Sequence, residues 1–292
     1  MPLSESVSNY WKLTKPRIWA LLVFTGFVAM LVAYRETGVS PSLFQILVLV
    51  AALTLGSASA DVLTNYHDRD IDSVMKRTMG RPLPSGKIAP GNALVFGLTM
   101  AVLSVLLAGW FNLLSATFML IGLVDNIVVY SLVLKRRSWL NIILGGISGG
   151  MPVLVGYAAV ADGVSPIALY MSALVIVWIP THIWSLAIVS KEDYRAARVP
   201  MLPVVFGDKV GTVCIAATSA LLAVFSVAIF LFTTISIFYT VAATVLSAAV
   251  MGYSAKLAID RNVNTAWTLF KITSPYLTVI FLVLGITVWL PR

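Results

Sequence analysis

The chain has 292 residues, of which 59% are hydrophobic and only 11% are charged. Because soluble domains carry charges at about a quarter of their positions, this composition excludes a soluble globular protein and indicates a helical membrane protein. The formal net charge is +8. In a membrane protein such a charge favours an orientation signal and contact with anionic lipid headgroups over a nucleic-acid partner.

Nine apolar stretches lie between the charged clusters, each long enough to cross the bilayer as a helix. They extend approximately over residues 18–34, 42–66, 89–109, 113–134, 140–161, 165–189, 211–232, 235–255 and 269–290. Residues 110–112 alone separate the third and fourth helices, and residues 233–234 the seventh and eighth, which predicts a tight hairpin in each pair. The sequence therefore predicts one integral membrane domain over residues 1–292, with an all-α fold of nine transmembrane helices.

Lysine and arginine residues are concentrated in alternate connections of this predicted bundle. They precede the first helix and follow the second, fourth, sixth and eighth, and only Arg35 and Arg292 lie on the opposite side. By the positive-inside rule, the N-terminus and the long loops, about 66–88 and 190–210, face the cytoplasm and the C-terminus lies outside. A count of eight or ten helices would break the alternation, so the charges also favour nine.

The second predicted helix ends in an acidic cluster. Asp61, Asn65, Asp68 and Asp72 have spacings of four, three and four, which places them on one face if the helix continues. A carboxylate inside an apolar span is costly and usually functional. Mg²⁺ takes oxygen ligands and is typically held by one or two carboxylates, with substrate phosphate completing its shell. The cluster predicts a Mg²⁺–diphosphate site; the alternative, a solvated acidic loop, explains Asp61 poorly.

Basic residues follow the acidic cluster at once. Arg69, Lys76, Arg77 and Arg81 suit the phosphate charge that a metal leaves unneutralised, and we take them as candidate diphosphate ligands. The alternative is that they only set the topology. Asp70 faces away from the acidic face and is expected to pair with a nearby base.

Two polar features lie inside the fourth and fifth predicted helices. Asp125 is either a buried helix–helix contact or a cavity residue, and the sequence favours neither. The glycine-rich segment 145–150 resembles a phosphate loop only superficially. Inside a membrane span, such small residues allow helices to pack closely, so we predict a packing role.

The end of the sixth predicted helix carries a second acidic and basic group, with Lys191, Asp193 and Arg195. Two acidic loops on one membrane face would be able to clamp a diphosphate. His182 lies about two turns inside the same helix. An intramembrane ionisable group is a site candidate, and imidazole can bind iron or relay a proton. The alternative is a buried histidine bonded to a backbone or hydroxyl group.

With these residues in view, the chain resembles the UbiA superfamily of intramembrane prenyltransferases, and within it the heme o synthases. The resemblance is carried by Leu-Thr-Lys-Pro-Arg-Ile at 13–18, Tyr-His-Asp-Arg-Asp-Ile-Asp at 66–72, Arg-Pro-Leu-Pro-Ser-Gly at 81–86, Thr-His-Ile-Trp-Ser-Leu-Ala at 181–187 and Lys-Glu-Asp-Tyr at 191–194. The acidic motif alone indicates only the superfamily. The last two segments are far more specific to the heme branch.

The resemblance implies a nine-helix bundle of the UbiA prenyltransferase type, with a central cavity open towards the lipid. It implies transfer of a farnesyl group from farnesyl diphosphate to the vinyl group of heme b, with addition of water and Mg²⁺ as cofactor, giving heme o and diphosphate. It also makes heme a synthase and terminal-oxidase assembly factors candidate partners.

The resemblance also assigns roles to residues. Asp68 and Asp72 match the later carboxylates of the superfamily's Asn-Asp-x-x-Asp-x-x-x-Asp motif, and Asp193 matches the acidic part of its second motif. The opening of the first motif differs here, since its Asn falls on Thr64 and the next position is Asn65. The predicted catalytic residues are Asp68, Asp72, Asp193, Lys191 and His182.

Metal, diphosphate and heme ligands are predicted as well. The metal ligands are Asp68, Asp72, Asp193, Asn65 and Asp61. Arg195 and Asn65 join the bases after the first motif as diphosphate ligands. For heme, His182 is expected to contact the iron, and Arg17 and Arg136 the propionates.

Three alternatives remain open. A UbiA-type enzyme acting on a quinone precursor or an isoprenoid lipid is argued against by His182 and by segment 191–194. A membrane transporter would have acidic or broken helices near the bilayer midplane in both halves, whereas most charges here cluster at one face. A structural assembly factor would not need the acidic face at all.

Overall fold

A computed structural model describes residues 3–229 and 236–289, which are almost entirely helical and contain no β-strand. The helices are α1 (Leu3–Leu13), α2 (Pro16–Thr37), α3 (Leu43–His67), α4 (Arg69–Val74), α5 (Pro90–Phe111), α6 (Leu113–Val124), which continues as a π-helix (Asp125–Leu134), α7 (Asn141–Leu144), α8 (Ile147–Ala161), α9 (Pro166–Val189), α10 (Lys191–Ala196), α11 (Leu202–Val205), α12 (Gly207–Ala228), α13 (Ile237–Asp260) and α14 (Val263–Thr287).

Nine segments within the described ranges are long and apolar enough to cross a membrane, which confirms the predicted number. They are α2, α3, α5, α6 with its π-helical continuation, α7 with α8, α9, α12, α13 and α14. The predicted turn at 233–234 and the predicted helix ends at 232, 235 and 290 lie outside the described residues.

The last three transmembrane helices extend further at one membrane face than the sequence predicts. α12 begins at Gly207, α13 ends at Asp260 and α14 begins at Val263. The sequence prediction ended these helices near charged residues. In the structure they continue past the apolar span, and α14 is capped by the side chain of Asn262, which accepts a hydrogen bond from the backbone N–H of Asn264.

Close glycine contacts bring α2, α8 and α9 together. A Cβ atom at Gly156 of α8 would lie 2.0 Å from the carbonyl oxygen of Gly26 in α2, and one at Gly149 would lie 2.4 Å from the side chain of Ile179 in α9. At Gly156 the obstacle is backbone, so any larger residue would force α8 away from α2, whereas at Gly149 the Ile179 side chain would have to shift. The glycine-rich segment therefore has the packing role that we predicted.

The fourth span ends in a π-helix, in which the backbone N–H of Lys135 donates to the carbonyl of Tyr130, five residues earlier. Asp125 at its start accepts a hydrogen bond from the backbone N–H of Ser148 in α8, at 2.7 Å. Of the two alternatives, Asp125 is thus the helix–helix contact. Segments with π geometry are frequent at functional sites, and Asn126 and Tyr130 of this one line a cavity between the transmembrane helices.

Candidate active site

A cavity of about 390 Å³ lies between α2, α3, α6, α8 and α9. Its apolar lining comes from the interior of these helices, with residues such as Leu22, Leu53, Met119 and Val155. Its charged lining comes from their ends and from the adjoining loops. The charged residues are Lys15, Arg17, Asp61, Asp68, Asp72, Arg77, Arg81 and Lys135. The cavity thus has an apolar interior and a charged end.

The acidic face predicted from residue spacing is present. The backbone N–H of Asp68 donates to Thr64 at 2.9 Å, and that of Asp72 donates to Asp68 at 2.7 Å, so helical hydrogen bonding continues from α3 into α4. Asp61, Asp68 and Asp72 consequently line one wall of the cavity. Asp68 is only 2% exposed and Asp72 only 3%, and carboxylates buried to this extent require a charged or hydrogen-bonding partner.

Each carboxylate of this wall is paired with a base from a different part of the chain. The pairs are Lys15–Asp61 at 3.0 Å, Arg81–Asp72 at 2.8 Å, and Lys135–Asp68. The repulsion between the aspartates is therefore relieved by three cations on the protein. Three positive charges are at the same time held at the end of the cavity where a diphosphate would have to bind.

Lys15 and Lys135 were not among the site residues predicted from the sequence. Lys15 lies between α1 and α2 and has a left-handed backbone (φ 51°). The distribution of basic residues along the sequence does not predict this conformation. Lys135 is the first of three consecutive bases, and the π-helix determines that it faces inward. Burial alone would lower the pKa of Lys135, but neighbouring Tyr130 and Asp68 outweigh it and hold this pKa above its ordinary value.

The donor atoms fit Mg²⁺ bound together with a phosphate. Asp68 Oδ1 is buried and has no hydrogen-bond partner, so it is available as a ligand. Among the residues that the structure describes, no three His, Cys, Asp or Glu side chains are grouped closely enough to hold a metal by themselves. Mg²⁺ is typically held by one or two carboxylates, with water and substrate phosphate completing its shell, and Asp68 Oδ1 is such a donor.

Asn65, predicted as a metal and diphosphate ligand, does not line the cavity. Its Nδ2 donates to the carbonyl of Leu13 at 3.0 Å, and its Oδ1 accepts from Arg81 at 3.3 Å. Asn65 therefore ties α1 to α3 and orients Arg81. The neighbouring Thr64 faces the cavity instead and donates to Asn126 Oδ1 at 3.0 Å.

Asp193 joins the two acidic loops. Its carboxylate accepts hydrogen bonds from the backbone N–H groups of Lys76, at 3.3 Å, and Arg77, at 3.2 Å. Asp193 and Lys76 line a second cavity, between the end of α9, the start of α10 and the loop after α4, and not the main cavity that Asp68 and Asp72 line. Arg77 lines both cavities. The structure thus places Asp193 away from Asp68 and Asp72, where it fixes the loop after α4.

The other predicted bases of the second loop are engaged elsewhere. Lys191 pairs with Asp208 at 2.7 Å, and the exposed Arg195 pairs with Glu192 at 2.5 Å. Neither Lys191 nor Arg195 lines the cavity that holds Asp68 and Asp72.

Two more predicted ligands lie on the surface outside the cavity. Arg69 stacks on the ring of Tyr66 at 4.7 Å. Arg136 donates two hydrogen bonds of 2.7 Å to the carboxylate of Asp70, which confirms that Asp70 pairs with a base. These bonds lower the pKa of Asp70 to about 2. Of the predicted basic ligands, Arg17, Arg77 and Arg81 line the main cavity.

His182 lines the main cavity from α9 and is clamped between two aromatic rings. The imidazole stacks on Trp178, with ring centroids 4.5 Å apart, and on Phe270, 4.3 Å apart. Its Nδ1 lies 2.7 Å from Thr273 Oγ1, which itself donates to the carbonyl of Phe270 at 2.8 Å. A hydroxyl has one hydrogen, so when Thr273 donates to the Phe270 carbonyl it accepts from Nδ1–H of the imidazole. In that tautomer Nε2 carries the lone pair.

Solved structures with the same fold support this architecture. The structure of a digeranylgeranylglyceryl phosphate synthase is similar with a TM-score of 0.78 and 17% identity, covering 97% of this chain and 99% of that one. A UbiA homolog from Archaeoglobus fulgidus bound to DMAPP and Mg²⁺ has a TM-score of 0.65 and 18% identity, with coverage of 94% and 99%. At these identities the likeness establishes the fold.

Relatives with higher sequence identity establish the family. Residues 22–285 match the UbiA prenyltransferase family. A protoheme IX farnesyltransferase of Thermoplasma volcanium is 40% identical over 276 residues, covering 94% of this chain and 96% of the relative. Another, of Desulforudis audaxviator, is 42% identical over 287 residues, with coverage of 98% and 90%. The chain is therefore a multi-pass membrane enzyme that belongs to the UbiA prenyltransferase family, on the branch of the protoheme IX farnesyltransferases.

Proposed function

We propose that the enzyme transfers a farnesyl group from farnesyl diphosphate to the vinyl group of heme b, with addition of water, and releases heme o and diphosphate. The observation that carries the proposal is the continuity of one cavity from the paired carboxylates and bases, through an apolar interior, to the clamped His182. The relatives at about 40% identity, which are named protoheme IX farnesyltransferases, support heme as the acceptor.

The charged end of the cavity binds the diphosphate in this proposal. Asp68 and Asp72 would hold Mg²⁺, which when bound neutralises negative charge on the phosphate oxygens. Lys15, Arg81 and Lys135 are held at the same end by ion pairs with Asp61, Asp72 and Asp68. Each of them can also pair with the negatively charged oxygens of a bound diphosphate. Fixed cations aimed at a leaving group that gains negative charge are usually the largest contribution to catalysis.

The apolar interior protects the transferred group. When the bond between the allylic carbon and the diphosphate oxygen breaks, the positive charge on the prenyl group lies among side chains such as Leu53 and Met119, where stray water is excluded. The electron-rich vinyl carbon of heme attacks that carbon. Water then adds to the cationic carbon left next to the porphyrin and loses a proton, which completes the hydroxyethylfarnesyl side chain.

The assay that tests this function uses purified protein, heme b, farnesyl diphosphate and Mg²⁺, with the product identified by mass. We expect heme o and one equivalent of diphosphate. A series of longer prenyl diphosphates in the same assay defines the chain length. Failure to modify heme, together with prenylation of a quinone precursor, would refute the assignment and favour the alternative UbiA reaction.

We further infer that the charged end of the cavity faces the cytoplasm of the cell, as the positive-inside rule requires. Diphosphates cross membranes poorly because of their charge. The same assay in sealed inverted vesicles should therefore be active with farnesyl diphosphate added outside, whereas sealed right-side-out vesicles should be inactive. Activity in right-side-out vesicles alone would show that the charged end of the cavity faces the outside.

We propose that His182 contacts the heme iron through Nε2, with Thr273 fixing the tautomer that leaves this atom free. Thr273→Val removes the acceptor for Nδ1–H and is expected to weaken heme binding about 10-fold or more, since partners of this kind contribute about 10–100-fold to metal affinity. Thr273→Ser, which keeps the hydroxyl, should restore binding. Absorption spectra of bound heme report the iron ligand. Unchanged spectra and turnover in His182→Ala would show that His182 does not contact the iron and serves only in packing.

A further inference from the structure

The main cavity ends in an apolar wall that lies far from its charged end. Its lining follows α3 from Asp68 down to Gly56 and Leu53. The 12 residues from Gly56 to Asp68 correspond to about 18 Å along the helix axis. At this depth Leu53 is joined by Met119 of α6 and Val155 of α8. We call Leu53, Met119 and Val155 the end wall.

The end wall is closed towards the rest of the bundle. Leu53 and Val155 are each only 1% exposed, and Met119 is 6% exposed. All three belong to one hydrophobic cluster, together with residues such as Met30 and Ala52 that do not line the cavity. An apolar chain that enters from the charged end therefore stops at the end wall unless a side chain of the wall moves.

Met119 is the part of the end wall that can move. A Cβ atom at Gly56 would lie 2.4 Å from Met119 Sδ and 3.1 Å from Met119 Cε, so the thioether occupies the space that a side chain at position 56 would need. Methionine side chains are unbranched and flexible and fill irregular gaps. The glycine thus allows Met119 to lie against the backbone of α3, and the two residues together determine where the cavity ends.

The position of the end wall indicates which substrate reaches it. The aspartates of the charged end and Gly56 both lie along α3 and its continuation, so a chain attached to a diphosphate at Asp68 would run along this helix towards Gly56. His182, the residue proposed to contact the acceptor, lies on α9. α8 packs against both α9 and α6, the helix that carries Met119. The end wall is therefore placed to meet the prenyl group.

We infer that the contact between Met119 and Gly56 determines the length of the prenyl group that the enzyme transfers. The inference rests on the proposed function and adds the residues that select its prenyl donor. In a hydrophobic pocket one methylene group changes kcat/KM by about 10–200-fold. A displacement of the end wall by a few atoms is thus sufficient to change which chain reacts.

The test is a competition among geranyl, farnesyl and geranylgeranyl diphosphates at equal concentrations, with heme b and Mg²⁺ and with the products separated by mass. The product ratios report the ratios of kcat/KM. Met119→Ala removes the thioether, and we expect the ratio of geranylgeranyl to farnesyl product to rise about tenfold or more. Gly56→Ala pushes the thioether into the cavity, so the ratio of geranyl to farnesyl product should rise by a similar factor.

Two further variants serve as controls. In the double variant Gly56→Ala with Met119→Ala, no thioether remains to be displaced, so the geranyl preference of Gly56→Ala should disappear. Met100→Ala is the matched control, because Met100 is also 6% exposed but belongs to another hydrophobic cluster and does not line the main cavity. It should lower the midpoint of thermal unfolding, as Met119→Ala does, without changing either product ratio.

Three results would overturn the inference: unchanged product ratios in both Met119→Ala and Gly56→Ala, equal changes in Met100→Ala, or a raised KM for heme b in Met119→Ala with no change in chain preference, which would assign the end wall to the acceptor. If Gly56→Ala unfolds in the assay, Met119→Phe, which enlarges the wall, must favour geranyl instead.

Failure of the proposed function is distinguishable, since it appears in the wild type as absence of heme o. If the wild type prenylates a quinone precursor instead, the same competition on that acceptor still tests Met119 and Gly56.

Discussion

Replacing Asp72 with asparagine is expected to lower kcat for heme prenylation by about 10²–10³-fold, the loss typical of removing one electrostatic contact to the transition state. Asparagine keeps the shape of the side chain but removes the charge that would hold Mg²⁺, and it leaves Arg81 without its acidic partner. Turnover should be measured across a Mg²⁺ titration, where we expect the half-saturating concentration to rise. Thermal unfolding of the same samples establishes that the variant is folded.

Asp70→Asn is the matched control for this experiment, because Asp70 is two residues away and its side chain is 63% exposed and paired with Arg136. It should retain turnover within about twofold, as surface substitutions away from a site usually do. If Asp72→Asn were as active as the wild type, the acidic face would not be the metal site.

The second large effect concerns stability. Lys135→Met is expected to lower the free energy of unfolding by about 3–5 kcal/mol, the usual cost of removing one partner from a buried ion pair. The carboxylate of Asp68 is only 2% exposed, and its Oδ1 already lacks a partner. Without Lys135 it would be a buried charge with no partner among the described residues. The unfolding midpoint in detergent, followed by intrinsic tryptophan fluorescence, measures the loss.

A second substitution separates stability from function. In the double variant Lys135→Met with Asp68→Asn, the buried charge is absent and most of the stability should return, while prenyl transfer should stay lost. Arg137→Met is the control for removing a basic residue from the same loop, since Arg137 is exposed, and it should change stability by less than about 0.5 kcal/mol. Equal losses in Lys135→Met and Arg137→Met would contradict a buried pair.

The three ion pairs suggest how a strongly charged site is maintained at the end of a membrane cavity. Before substrate binds, each carboxylate of α3 and α4 is neutralised by a base from another segment. When a diphosphate arrives with Mg²⁺, the carboxylates and the bases can each exchange a protein partner for a ligand. Such an exchange avoids a state in which three buried carboxylates lie close together without compensation.

Much of the fold could be predicted from the sequence, because membrane insertion depends on properties that are local along the chain. The length of apolar stretches and the alternation of basic loops gave nine spans, and the structure has nine among its described residues. The spacing of Asp61, Asp68 and Asp72 placed them on one face, and they line one wall. The motifs around residues 66–72 and 181–194 indicated the family that the comparisons establish.

Only the tertiary structure decided which polar groups meet. Lys15 and Asp61 are 46 residues apart, and Asp68 and Lys135 are 67 apart, so no local pattern could pair them. Asn65 and Asp193 were predicted as metal ligands, but Asn65 bonds the carbonyl of Leu13 and the side chain of Arg81, and Asp193 bonds two backbone N–H groups. Composition therefore determined that the chain spans the membrane, and residue spacing determined its acidic site, whereas helix packing determined which bases neutralise that site.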